Sequence, residues 1–103
     1  MQLNFKLDVF EGPLDLLLHL ISKHKLNIND IEISKLLEQY LDVIAEMKMA
    51  DLEVASEFLE MAARLVYIKT VSLLPRHEEA ENLKKELTGQ LLEYQACKAA
   101  AAR

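Results

Sequence analysis

A chain of 103 residues with 51% hydrophobic and 28% charged residues and a formal net charge of −5 suits one domain, and is too apolar to stay disordered. Two Gly and two Pro are too few turn-makers for an all-β architecture, the single Cys97 excludes an intramolecular disulfide, and no apolar run approaches the roughly 20 residues of a membrane span. The acidic balance, with Lys and Arg mostly scattered, disfavours tight non-specific nucleic-acid binding, and the composition reads as a cytoplasmic, all-α protein with no membrane association.

Leu3, Phe5, Leu7 and Val9 alternate with Asn4, Lys6 and Asp8, a period of two that predicts a short N-terminal β-strand over Leu3 to Phe10. No second strand pattern follows, so this one is expected to lie along helices or to pair with another chain. Gly12-Pro13 opens the first helix, because Pro at the first helical position gives up an N–H that would have no partner there. Asp15 complements the positive end of that helix, and Lys23, His24 and Lys25 its negative end near Lys23. Leu14, Leu16, Leu17, Leu18, Leu20 and Ile21 cover about 200° of its circumference, which predicts a helix sandwiched between others.

Asn27-Ile28-Asn29-Asp30 reads as a turn, with Asp30 or Ser34 as cap of a second helix. Its stripe is Ile33, Leu37, Tyr40, Leu41, Ile44 and Met47. Asp51 is a good N-cap for a third helix, and nothing interrupts the pattern from Leu52 to Leu74 until Pro75 ends it. At 1.5 Å per residue that element would be about 34 Å long, the longest of the domain.

The third helix carries two stripes. One is Leu52, Ala55, Leu59, Ala62, Val66, Lys69 and Leu73; the other is Val54, Phe58, Met61, Leu65, Ile68 and Ser72. Both advance in alternating steps of three and four, and together they span about 200°, roughly twice what a helix needs to reach its own core. The surplus predicts either a central position among the other helices or a second surface covered by another chain, and periodicity does not say which stripe faces inward. Arg76 to Asn82 is charged and reads as a linker, followed by a final helix from about Ala80 to Ala101 with Leu83, Leu87, Leu91 and Tyr94 in register and Gly89 weakening its middle. The architecture expected is thus three to four helices, a long third one among them, after a short N-terminal strand.

No catalytic constellation, cofactor site or metal site emerges. Gly12 and Gly89 stand alone, which excludes a glycine-rich phosphate cradle. His19 and His24, five residues apart, cannot share a metal on one helix face, and His77 is remote in sequence. Glu57 and Glu60 read as a solvated face, Cys97 as a small, partly buried side chain, and the methionines as core filling. The chain reads as a non-enzyme.

Four strings carry a family resemblance: FEGPLDLLLHLI from Phe10 to Ile21, DIEISKLLEQYL from Asp30, LEVASEFLEMAA from Leu52 to Ala63, and IKTVSLLP from Ile68 to Pro75. They closely resemble the segregation and condensation protein A (ScpA) family, the bacterial and archaeal kleisins. The resemblance implies a non-catalytic subunit that joins SMC proteins and a ScpB dimer into a ring for chromosome condensation and segregation, nucleoid-associated and touching DNA only through the complex. It implies that residues 1–75 are an N-terminal domain that binds the head-proximal neck coiled coil of an SMC subunit. Residues 76–103 would be a linker and, through LTGQLLEYQACK from Leu87 to Lys98, the start of a ScpB-binding segment. Joined to the stripes, it nominates Asp51, Leu52, Ala55, Leu59, Ala62, Val66 and Lys69 for the SMC-neck interface, with Phe58, Met61, Leu65 and Ile68 in the home core. Leu83, Leu87, Leu91 and Tyr94 are nominated for the ScpB interface. Members of the family are considerably longer, so the chain is expected to hold one SMC end without bridging two. An uncovered stripe also invites self-association. The competing reading from the residues alone is a small helical DNA-binding domain of helix-turn-helix type, against which the acidic charge and the lack of a basic recognition helix count.

Overall fold

The computed structural model describes residues 10–50 and 56–101, the side chains of 47–50 and 101 excepted. Within them the chain forms α1 (Pro13–Lys23), α2 (Ile33–Ala50), α3 (Ser56–Ser72) and α4 (His77–Ala101). There is no strand among the described residues. The strand expected over Leu3 to Phe10 falls, but for Phe10, outside them, as does the Asp51 cap.

α1 starts and stops where its sequence directs. Gly12 holds φ at 151°, a backbone conformation that residues with a Cβ rarely adopt, and Pro13 follows as the first helical residue. Asp15 reaches back to accept the Glu11 N–H at 3.1 Å, which satisfies a donor that the helix itself cannot. At the other end Lys25 takes a left-handed φ of 56°. That twist lets the Leu26 N–H reach Ile21 O at 2.8 Å and the Lys25 N–H reach Ser22 O at 3.2 Å, closing the orphan carbonyls of the last turn. The loop continues through Asn27, whose Oδ1 accepts the Asn29 N–H at 2.9 Å. α2 then begins after Glu32, so neither Asp30 nor Ser34 occupies the cap position.

α1 is indeed sandwiched: Leu16, Leu17, Leu20 and Ile21 are buried, and the helix packs on α2, α3 and α4. α2 contributes Ile33, Leu36, Leu37, Tyr40, Val43 and Ile44 to the same core, while Leu41 is 41% exposed. The Tyr40 hydroxyl, fully buried, donates to Phe58 O at 2.8 Å and so ties α2 to the first turn of α3. Burial pushes its ionisation well above the ordinary tyrosine value, so it stays a neutral donor.

The charged stretch 76–82, expected as a linker, is helical from His77 onward. Its charges do not oppose a helix because they face out, while Ala80 turns inward and is 5% exposed. Tyr67 of α3 donates to Glu79 at 3.0 Å, and Arg76 pairs with the same carboxylate at 3.5 Å, closing the corner between α3 and α4. α4 runs unbroken through Gly89, where a Cβ would meet nothing within 4 Å. Because the charged stretch joins it, α4 at 25 residues, not α3 at 17, is the longest described helix, against the expectation of a longest third one. Leu87 and Leu91 reach the core, completing a four-helix cluster. At the far end of α4, the Lys98 ammonium pairs with Asp15 and the Tyr94 hydroxyl donates to Glu11 at 2.9 Å.

Asp15 is 7% exposed, and that burial alone would raise its pKa. The hydrogen bonds from Lys98 and the Glu11 N–H, with the positive charges of Lys98 and His19, outweigh it and hold the carboxyl below its ordinary value. A depressed folded-state pKa contributes stability that is fully present above the unfolded value, about 3.9, and is lost as pH falls through the folded one. Asp15→Asn should therefore flatten the acid limb of stability below about pH 4, measured by urea denaturation at stepped pH. At the other end of α1, Lys25→Gly relieves a left-handed residue and should raise stability by up to about 1 kcal/mol in the same assay, circular dichroism unchanged.

Candidate functional site

The two stripes of α3 part company in the structure. Phe58, Met61, Leu65 and Ile68 are all buried, and Val71 extends their side of the helix by one step. Leu59 and Val66 lie on the other side, each 45% exposed, and Leu73 is 76% exposed. Periodicity left the inward stripe open; packing by α1, α2 and α4 decides it in favour of the Phe58 side.

The outward row is not quite the one nominated. Ala62 is half-buried against the core and Lys69 is half-buried too, whereas Ala63 and Thr70 are exposed. The exposed line is therefore Leu59, Ala63, Val66, Thr70 and Leu73, which advances in steps of four and three. Thr70 fits it because its hydroxyl donates to Val66 O one turn back, at 2.9 Å, and is spent within the helix. Tyr67, 50% exposed, and Leu74, 39% exposed, flank the row. The hydrogen bond to Glu79, then its charge and desolvation, raise the Tyr67 pKa against the opposing charge of Arg76, so the phenol is neutral at physiological pH.

An apolar helix face made of small and branched side chains in a heptad-like row is built to receive another helix: Ala63 permits close approach, while Leu59, Val66 and Leu73 offer knobs. Beside it, exposed Leu41 lines a shallow groove between α2 and α3 with Ser34, Lys35, Glu38 and Lys69. Lys69 thus sits at the edge of the surface, with its charge beside the apolar row.

The remaining nominated residues are placed differently. Asp51, Leu52 and Ala55 lie outside the described residues. Leu87 and Leu91, nominated to meet a partner, have no exposed surface: they fill the home core, and Leu83 packs against it. The physical reason is that α1 and α3 cover the Leu87 and Leu91 side of α4, which leaves Leu92, 38% exposed, as its one exposed large apolar side chain among the described residues. Tyr94 is half-buried and bonded to Glu11; partial burial, that bond and the charges of Asp15 and Glu11 push its hydroxyl pKa up to about 12. Cys97, expected to be partly buried, is exposed. Among the described residues no group of three or more His, Cys, Asp and Glu is placed to hold a metal ion, and no helix is long and apolar enough to cross a membrane.

The family described as segregation and condensation protein ScpA matches residues 20–103. The chain belongs to the ScpA family. Segregation and condensation protein A of Bacillus cereus (strain AH187) is 46% identical over an alignment that covers 98% of this chain and 44% of that protein. The proteins of the same name from Bacillus anthracis (strain CDC 684 / NRRL 3495) and Bacillus thuringiensis subsp. konkukian (strain 97-27) match at the same 46% identity and the same coverage. The chain therefore spans less than half the length of these relatives.

The division between the two sides of α3 has a direct consequence for stability. Leu59→Glu and Val66→Glu should each leave the urea-unfolding free energy within about 0.5 kcal/mol of the parent chain, whereas Leu65→Ala should cost about 2–5 kcal/mol.

Proposed function

We propose that this chain is the N-terminal part of a non-catalytic kleisin in an SMC–ScpA–ScpB condensin, and that it docks the outer row of α3 on the neck coiled coil next to an SMC head. The observation that carries the reading is the exposed heptad-like row Leu59, Ala63, Val66, Thr70 and Leu73, on a helix whose other side is already used by its own core. Family membership supplies the biological setting, and the row supplies a means of attachment.

The physics of docking follows from the row. A two-helix neck offers an apolar seam into which Leu59, Val66 and Leu73 insert, with Ala63 letting the backbones approach. Leu41 at the edge of α2 extends the contact. The driving force is removal of this apolar surface from water, so the contact should be insensitive to salt at its centre, with charge effects confined to the rim around Lys69. The ScpB dimer is the second partner of the proposed complex, but Leu87 and Leu91 are not the residues that greet it while α4 is packed as here. Contact with DNA is indirect, through the assembly, as suits a net charge of −5.

The test is co-elution with an SMC fragment comprising the head and its neck. The parent chain should form a complex, and a Leu59→Glu, Val66→Glu double variant with native circular dichroism should bind at least about 100-fold more weakly, as loss of two central apolar anchors requires. Undiminished binding by the folded double variant contradicts the docking surface. Tight, sequence-selective DNA binding by the chain alone in a low-salt gel shift would favour the helix-turn-helix reading instead.

A further inference from the structure

α4 is held in two different ways along its length. As far as Leu91 the hold is mainly apolar, beyond the Tyr67–Glu79 bond at its start: Ala80, Leu87 and Leu91 are buried and Leu83 packs on the core. Beyond Leu91 no described side chain of the helix is buried; Leu92 is 38% exposed, residues 95–100 are exposed, and Tyr94 is half-buried. Two polar links replace the apolar contacts there, Tyr94 to Glu11 and Lys98 to Asp15. The donors stand four residues, one helical turn, apart on α4, and the acceptors lie just before α1 and in its first turn.

The two sides of this contact are not equally rigid. Asp15 is 7% exposed and anchored by the Glu11 N–H, in the first turn of α1 behind Pro13, whose ring fixes its φ. Lys98 rides on a side chain that is 49% exposed. Links that solvent can reach are weak and screened by salt, unlike burial of Leu87 and Leu91. Ala96, Ala99 and Ala100 keep this end helical by propensity while giving it nothing apolar to bury.

We propose that residues 92–101 are a strap, latched to the first turn of α1 by Tyr94 and Lys98, that opens locally while α1, α2, α3 and the rest of α4 stay folded. Opening frees the Glu11 and Asp15 carboxylates and changes the direction in which α4 leaves the bundle. None of the four latch residues belongs to the outer row of α3, so the strap is a device separate from the docking surface.

Amide hydrogen exchange tests this on the parent chain, Lys98→Ala, and the Tyr94→Phe, Lys98→Ala double variant. The double variant should exchange amides 95–101 about tenfold faster, with amides of α1 and of α4 up to Leu91 unchanged. Molar salt should speed exchange in the same segment of the parent and add little in the double variant, while Lys98→Arg should restore protection lost in Lys98→Ala. Loss of protection spread evenly over the whole bundle would overturn the proposal, because the latch would then be part of one cooperative unit. Unchanged exchange at 95–101 in the double variant would overturn it as well.

Discussion

Phe58, Met61, Leu65 and Ile68 occupy one side of α3 and are all buried, and α3 is packed on by every other helix of the bundle. Burying each such side chain is worth about 1.5–3 kcal/mol, so rotating α3 to expose the four would cost on the order of 6–12 kcal/mol. A domain of this size has roughly 5–15 kcal/mol in total. The orientation of α3 is therefore not adjustable, and the outward direction of Leu59, Val66 and Leu73 follows from it. The candidate surface is the reverse side of the core.

The other helices serve that orientation. α1 inserts Leu16, Leu17, Leu20 and Ile21, and α2 adds Tyr40, whose hydroxyl bonds the Phe58 carbonyl and sets the register between α2 and the start of α3. α4 closes the remaining side through Leu87 and Leu91. A rigid bundle that shows one apolar row in a fixed direction loses little conformational entropy on binding, which is what a docking module needs.

Much of this was legible in the residues because the signals were local. Gly12-Pro13 with Asp15, and Lys23 at the other end, defined α1 to the residue. Alternating steps of three and four exposed both stripes of α3 but left open which faces inward; packing turns Phe58, Met61, Leu65 and Ile68 inward and continues them with Val71 rather than Ser72. What escaped depends on tertiary contact. Whether Ala62 and Lys69 or Ala63 and Thr70 continue the outward row is a question of one residue, about 100° of rotation, and only the packing of α2 and α4 answers it. The charged 76–82 stretch looked like a linker because Ala80 is its one inward residue and the Tyr67–Glu79 bond is invisible in a linear pattern. Leu87 and Leu91 looked like partner contacts because a narrow stripe is marginal by itself, whereas α1 and α3 supply the cover. The links from Tyr94 and Lys98 to the head of α1 span 83 residues, and no periodicity encodes them.

The central claim is that the outer row of α3 is the face that meets the SMC neck, and proximity labelling tests it most directly. A photo-reactive residue at Val66, in the chain mixed with an SMC head-and-neck fragment, should cross-link to coiled-coil peptides of the neck, while the same group at Leu92 on α4 should not. Cross-links from Leu92 and none from Val66, or cross-links from Val66 only to the globular head, would contradict the account.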